Sequence, residues 1–107
     1  MTRPALDLAF QALADPTRRA MIERLSRGPA TVSDLAAPLP MSLTAVVQHL
    51  KVLEECGLIA SEKRGRSRWC RLEQMRFAEA ADWMEAERRR AAARLDRLEL
   101  YLDRKKG

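Results

Sequence analysis

The side chains best suited to molecular recognition in this 107-residue chain fall at helical spacing within residues 41–57, Met-Ser-Leu-Thr-Ala-Val-Val-Gln-His-Leu-Lys-Val-Leu-Glu-Glu-Cys-Gly. Gln48 carries an amide that donates and accepts at once, the pairing that matches N6 and N7 of adenine in a major groove. Thr44 and Lys51 stand one turn to either side of it, with Ala45 alongside and Ser42 at the start. His49 offers a phosphate or base contact, or else serves as a satisfied structural histidine. Further on, residues 62–71 hold Lys63, Arg64, Arg66, Arg68 and Arg71 against the single acid Glu62, a local balance of +4 in a chain of net charge +5. Such a cluster suits phosphate, which fixes the register of a protein on a duplex without reading its sequence. The alternative is a solvated strand edge that charge protects from aggregation.

These groups need elements to hold them. Ser42 can accept the free amides of a first helical turn, and Gly57 supplies the left-handed residue that ends helices, so a helix is predicted over about 42–56. At 100° per residue Leu43, Val46, Val47, Leu50 and Leu53 gather on one side, while Thr44, Ala45, Gln48 and Lys51 face away with Val52 as the one bulky apolar exception. Upstream, Thr31-Val-Ser-Asp-Leu-Ala-Ala reads as a short helix capped by Ser33 or Thr31, and Pro38-Leu-Pro-Met breaks it. Two helices joined by a short turn form a helix-turn-helix, whose second helix enters the major groove. Downstream, two short strands around Gly65-Arg-Ser predict a two-stranded β-hairpin over about 58–72, a wing beside the reading helix.

The first thirty residues read as support. Leu6, Phe10 and Leu13 give a first helix an apolar face. Asp15 then caps a second helix that has Pro16 at its first position and buries Met21, Ile22 and Leu25 before Gly28-Pro29 stops it. Its Arg18, Arg19 and Arg24 are free to face solvent or phosphate, and solvent is expected. Residues from about 75 to 104 form one long helix free of Gly and Pro. Phe77, Met84, Ala91 and Leu98 recur every seven residues, with Ala81, Leu95 and Leu102 four positions later and Arg88 as the interruption. At 1.5 Å per residue such a helix runs about 45 Å, more than a domain of this size covers alone. It therefore predicts a dimer seam, packed against its own copy and against Phe10 and Leu13; the alternative is a single helix lying across the monomer. Trp83 and Tyr101 are read as packing groups.

Taken together, Leu13-Ala-Asp-Pro-Thr-Arg-Arg-Ala-Met-Ile-Glu-Arg-Leu, the stretch Met41 to Ile59 and the Gly-Arg-Ser-Arg hairpin resemble the ArsR family of bacterial winged-helix repressors, over about residues 5–102. The resemblance implies a homodimer that binds an inverted-repeat operator of double-stranded DNA, usually near its own gene, and releases it when an effector binds or a thiol reacts. It implies contacts to DNA from Ser42, Thr44, Ala45, Gln48, His49 and Lys51 of the reading helix and from Arg64, Arg66 and Arg68 of the wing. The dimer interface would use Phe10, Leu13, Phe77, Met84, Ala91, Leu95, Leu98 and Leu102. Where relatives often carry a small serine before the Gln-His-Leu run, this chain has Val47. Metal-sensing relatives place cysteines in the helix before the reading helix, or His and carboxylate pairs on the last helix. Residues 31–36 hold no cysteine and residues 75–107 no histidine, so no metal site is expected.

The expected fold class is mainly α (α+β): a single winged helix-turn-helix domain over residues 1–107 with long terminal dimerisation helices. A chain of this length buries roughly two-thirds of its unfolded surface, enough for one core. There is no apolar run of membrane-spanning length and no signal-like start, so a cytoplasmic, nucleoid-associated location and no membrane partner are expected. The sequence pI near 9.9 favours an acidic partner. No nucleophile–base pair and no phosphate loop are present, so the chain reads as no enzyme and calls for no cofactor. Cys56 and Cys70 read as semi-buried packing groups in a reducing compartment. A redox switch is the alternative, with Arg68 and Arg71 depressing the pKa of Cys70. A further alternative is an interaction module that has lost DNA binding. The effector is left unidentified. A coupling of about 1–3 kcal/mol between effector and DNA would suffice for a switch, altering affinity about 5- to 150-fold.

Overall fold

The computed structural model describes residues 3–106; residues 1, 2 and 107, the outermost of the expected 1–107 domain, lie outside the described residues. Helices α1 (Arg3–Leu13) and α2 (Pro16–Leu25) precede a two-residue strand β1 (Ala30–Thr31), the short helix α3 (Val32–Ala36) and the longer α4 (Leu43–Glu55). The hairpin β2 (Ile59–Arg64) and β3 (Ser67–Leu72) follows, and α5 (Gln74–Lys106) closes the chain. Pairing is antiparallel in the order β1-β3-β2, with Ala30 opposite Cys70 on one side and Ser61 opposite Cys70 on the other. The hairpin was expected with two strands alone. The third, β1, is too short for any alternation to mark it, and it exists because β3 presents a free edge to Ala30 and Thr31.

Local chemistry sets most boundaries. Asp15 accepts the Arg18 amide at 2.9 Å with Pro16 next in line, which starts α2. Of the two caps considered for α3, Thr31 is the one used: its hydroxyl accepts from the Asp34 amide at 3.0 Å, and the Asp34 carboxylate accepts from the Thr31 amide at 3.4 Å. Ser42 accepts the Ala45 amide at 3.2 Å and starts α4. Gly57 ends α4 at φ +80°, with its amide donating to Glu54 and that of Leu58 to Leu53. A side chain there would be strained by the left-handed backbone, and its Cβ, 2.9 Å from Nε of Arg76, would also make that guanidinium shift. Gly65 opens the two-residue hairpin turn at φ +61°, the position that a II′ turn reserves for glycine.

The core lies where α2, α3 and α4 meet the inner face of the sheet. Met21, Val46, Leu53, Leu58 and Cys70 are its largest fully buried side chains. Each buried aliphatic side chain of this size contributes about 1.5–3 kcal/mol, and that burial orients α4. From α1 it is Leu6, Ala9 and Ala12 that turn inward; Leu13 is partly buried against the core, and Phe10 points outward to meet Trp83 of α5 edge-on at 5.7 Å. The apolar face of α1 is therefore turned by about one residue from the Leu6–Phe10–Leu13 line. Among the described residues of α5 only Ala80 is buried, with Phe77 packed partly against the core. The helix then projects outward, giving extents of 72 × 27 × 24 Å.

Candidate nucleic-acid interface

Burial of Val46, Leu50 and Leu53 turns the opposite side of α4 to solvent. Ser42, Thr44, Gln48 and Lys51 are exposed there, and Ala45 is half-buried. Two apolar residues join them: Leu43 and Val47, expected within the buried stripe, stand 59% and 48% exposed. The covered arc is narrower than the periodicity indicated, because α3 and the sheet reach only the Val46–Leu50–Leu53 line. Val52 is exposed, as expected.

Both flanks of α4 are tied down. On the α2 side, Nδ1 of His49 lies 3.2 Å from Nη1 of Arg18 and 3.8 Å from Oδ2 of Asp15. Arginine can only donate, so Nδ1 is the acceptor of that bond. The same Arg18 donates through Nε to the Ala12 carbonyl at 2.7 Å and through Nη2 to that of Gln11 at 3.3 Å. Arg19 donates to Leu13 and Ala14, at 2.8 and 2.9 Å. Arg18 and Arg19, expected in solvent, therefore satisfy the carbonyls that the end of α1 leaves open. Arg24 likewise reaches the Gly28 carbonyl at 3.2 Å. His49, a candidate for direct contact, has one ring nitrogen committed to holding α4 on α2, which leaves its Nε2 edge. The Arg18 amide bond holds the Asp15 carboxyl below the usual carboxylate range.

On the hairpin side, the Ser61 hydroxyl donates to Oε1 of Glu54 at 3.1 Å and accepts from Nη1 of Arg68 at 3.0 Å. This chain links the last turns of α4 to both strands, and neither Glu54 nor Ser61 was singled out from the sequence. Arg64 donates to Glu62 at 2.6 Å and lies 5.8 Å from the Trp69 ring centre, on the outer sheet face. Arg71 pairs with Glu73. Arg66 sits in the hairpin turn, and among the described residues its guanidinium has no partner; the same holds for the amines of Lys51 and Lys63. Of the three wing arginines expected to act together, then, Arg66 is free, Arg68 leans on Ser61 and Arg64 is turned to Glu62.

Cys56 and Cys70 are both buried and unpaired by any disulfide. Burial pushes both thiols up, and for Cys70 the Glu54 carboxylate adds to it while Arg68 opposes. This reverses the depressed pKa on which the redox alternative relied: Arg71 is on the other sheet face, and Arg68 alone does not offset burial. Among the described residues, no three His, Cys, Asp or Glu side chains converge, and no helix is long and apolar enough to cross a membrane.

The expected interface set divides. Leu13 and Phe77 pack on the chain's own core, and Phe10 meets Trp83. Met84, Ala91, Leu95, Leu98 and Leu102 remain exposed along α5.

Comparison with known proteins gives a consistent picture. A family model described as a helix-turn-helix domain matches residues 13–62. The HTH-type transcriptional regulator Rv2034 of Mycobacterium tuberculosis is 53% identical over 62 residues, which are 58% of this chain and 58% of that protein. The chain thus spans less than two thirds of that curated relative. Among solved structures, an ArsR family transcriptional regulator is 45% identical, with a TM-score of 0.78 over 83% of this chain and 92% of that one. An ArsR-like transcriptional regulator from Rhodococcus sp. RHA1 is 33% identical, with a TM-score of 0.76 over 89% and 90%.

Proposed function

The chain belongs to the ArsR family of transcriptional regulators, and from that premise we propose that it binds double-stranded operator DNA as a homodimer, with α4 in the major groove and the hairpin along the phosphates. The observation that carries this reading is the open edge of Thr44, Gln48 and Lys51, on a helix braced on both flanks, together with the cations Lys63 and Arg66 of the neighbouring hairpin, which have no partner among the described residues. Gln48 reads an adenine, and Thr44 and Lys51 extend the contact along the groove. Ser42 and Ala45 bring the amides of the first helical turn close to a phosphate, where they and the helix dipole favour negative charge. His49 offers Nε2 to the backbone while Nδ1 stays on Arg18. Arg66 reaches phosphate or the minor groove, and Arg64 and Arg68 join it by exchanging Glu62 and Ser61 for phosphate.

The homodimer follows from α5. Met84, Leu95, Leu98 and Leu102 repeat on one seam and are exposed in the single chain, with Ala91 between them. A second copy closes that seam and sets two reading helices one DNA turn apart, roughly 34–36 Å. Arg88 fits the seam because Glu85 takes it in a double hydrogen bond, at 3.0 and 2.8 Å. We infer a repressor that works in the cytoplasm on the nucleoid and answers to a non-metal effector, since the lone histidine is occupied by Arg18 and both cysteines are buried.

In vitro selection from a random duplex pool, followed by footprinting, tests the reading. It should enrich an inverted repeat whose half-sites are centred about 10–10.5 bp apart or a multiple of that, protected by two copies of the chain. A pool with no enriched sequence, or one asymmetric site filled by a single copy, contradicts it.

A further inference from the structure

Leu43 and Val47 place an apolar patch on a face that is otherwise polar and cationic. They lie one turn apart on the hairpin side of α4, are 59% and 48% exposed, and stay outside the core cluster. With Val32 they line a concavity of about 350 Å³ whose other wall is the hairpin tip, Arg66, Ser67 and Arg68. Whatever fills this space must be apolar where it meets Val47 and anionic where it meets the two arginines. A second copy meeting this patch with the same patch fits poorly, because it would bring the same arginines against these. A duplex has both properties at this scale: the thymine C5-methyl is the one apolar group on the major-groove edge of a base pair, and phosphates flank it.

We propose that Val47, supported by Leu43, is a specificity-determining residue that reads the C5-methyl of a thymine next to the base pair met by Gln48. The inference rests on the reading of α4 as the groove-binding helix. Val47 and Gln48 are successive residues of α4, separated by 100° around the axis and 1.5 Å along it, so one helix edge serves both. Gln48 recognises hydrogen-bonding groups and Val47 recognises a methyl that no hydrogen bond reports. A serine or alanine at position 47 would hold a base pair with the methyl and one without it about equally well. The valine gains only when the methyl is present to be covered. Covering one group of that size is worth roughly fourfold in affinity, the equivalent of about 0.8 kcal/mol.

The test replaces each thymine of the selected duplex, one at a time, with deoxyuridine, which removes the C5-methyl and keeps every hydrogen-bonding group. Affinities are read by fluorescence anisotropy for the wild type, Val47→Ala, Val47→Ser and Leu43→Ala. Both positions are exposed, so the variants should melt with the wild type. One thymine in each half-site should lose about fourfold with the wild-type protein and almost nothing with Val47→Ala or Val47→Ser, while Leu43→Ala should show a partial loss. A wild type insensitive to every deoxyuridine overturns the proposal, and so does a sensitivity that persists undiminished in Val47→Ala. A change of oligomeric state in Val47→Ala with thymine sensitivity intact makes the patch a protein contact and also overturns it. If no duplex is enriched at all, the groove-binding reading itself has failed, an outcome distinct from tight binding that ignores the methyl.

Discussion

Val46, Leu50 and Leu53 of α4 are buried, whereas Leu95, Leu98 and Leu102 of α5, an apolar stripe built on the same helical spacing, stand 64%, 52% and 49% exposed. The two helices differ in what surrounds them. α4 has a cap at Ser42, a stop at Gly57, Arg18 on one flank and Ser61 on the other. Its position is therefore determined within one protomer. Among the described residues the outer part of α5 is steadied from within, by ion pairs from Glu85 to Arg88 and Arg89 and from Glu87 to Arg90 and by Lys105 over the Tyr101 ring. Arg88 accordingly holds the Glu85 carboxyl below its usual range. Such solvent-screened pairs steady a helix only weakly and leave an apolar stripe uncovered. On the proposed function the contrast separates two tasks: a single chain would build the reading surface, and a second one would set the distance between two such surfaces.

The largest effect should come from the exposed stripe. Replacing both Leu95 and Leu98 with Asp puts two carboxylates on the seam, and burying them between two copies of the helix is costly. We expect monomers in sedimentation, unchanged helical content by circular dichroism, and a loss of about 10²-fold or more in operator affinity because the half-sites are no longer bound by linked subunits. A double variant that still sediments as a dimer removes α5 from the interface and erases the contrast.

Next comes the end of α4. Gly57→Ala must hold a left-handed backbone and move Arg76, so a loss of about 1–2 kcal/mol is expected. In a domain of this size each kcal/mol lowers Tm by roughly 4–8 °C. Unchanged melting would show that the stop at Gly57 does not fix the helix.

The smallest effect should be at the start of α2. Asp15→Ala removes the side-chain cap of α2 and should lower stability slightly. Because the Arg18 amide lowers the Asp15 pKa in the folded state, this contribution is present above the ordinary carboxylate pKa and is lost as pH falls through the lowered one. Urea titrations of wild type and variant should thus differ near neutrality and converge in acid. A gap that widens on acidification has the opposite sign and contradicts the assignment.

What could be read in the sequence was what depends on near neighbours. Asp15-Pro16, Ser42 and Gly57 act within one helical turn, so the limits of α2 and α4 were legible, as were the hairpin around Gly65 and the long α5. Contacts between distant segments were not. Arg18 and Arg19 have side chains long enough to reach solvent or the end of α1, and only the packing of α1 on α2 decides which. The link from Glu54 through Ser61 to Arg68 depends on how the hairpin leans on α4. Val47 sits at the border of the apolar arc, where helical periodicity cannot say whether a neighbour reaches it. The exposure of Thr44, Gln48 and Lys51 was legible because they lie opposite three residues whose burial left no choice.

Salt-dependent titration of Gln48→Ala and Arg66→Ala against the selected operator and a random duplex tests the division of labour between α4 and the hairpin most directly. Gln48→Ala should cost about 1–3 kcal/mol on the operator and little on random DNA, with an unchanged salt slope. Arg66→Ala should weaken both duplexes alike and lower the slope by roughly one per subunit. If Gln48→Ala weakens every sequence equally, or Arg66→Ala leaves the slope as it was, then α4 does not read the bases and the hairpin does not hold the phosphates.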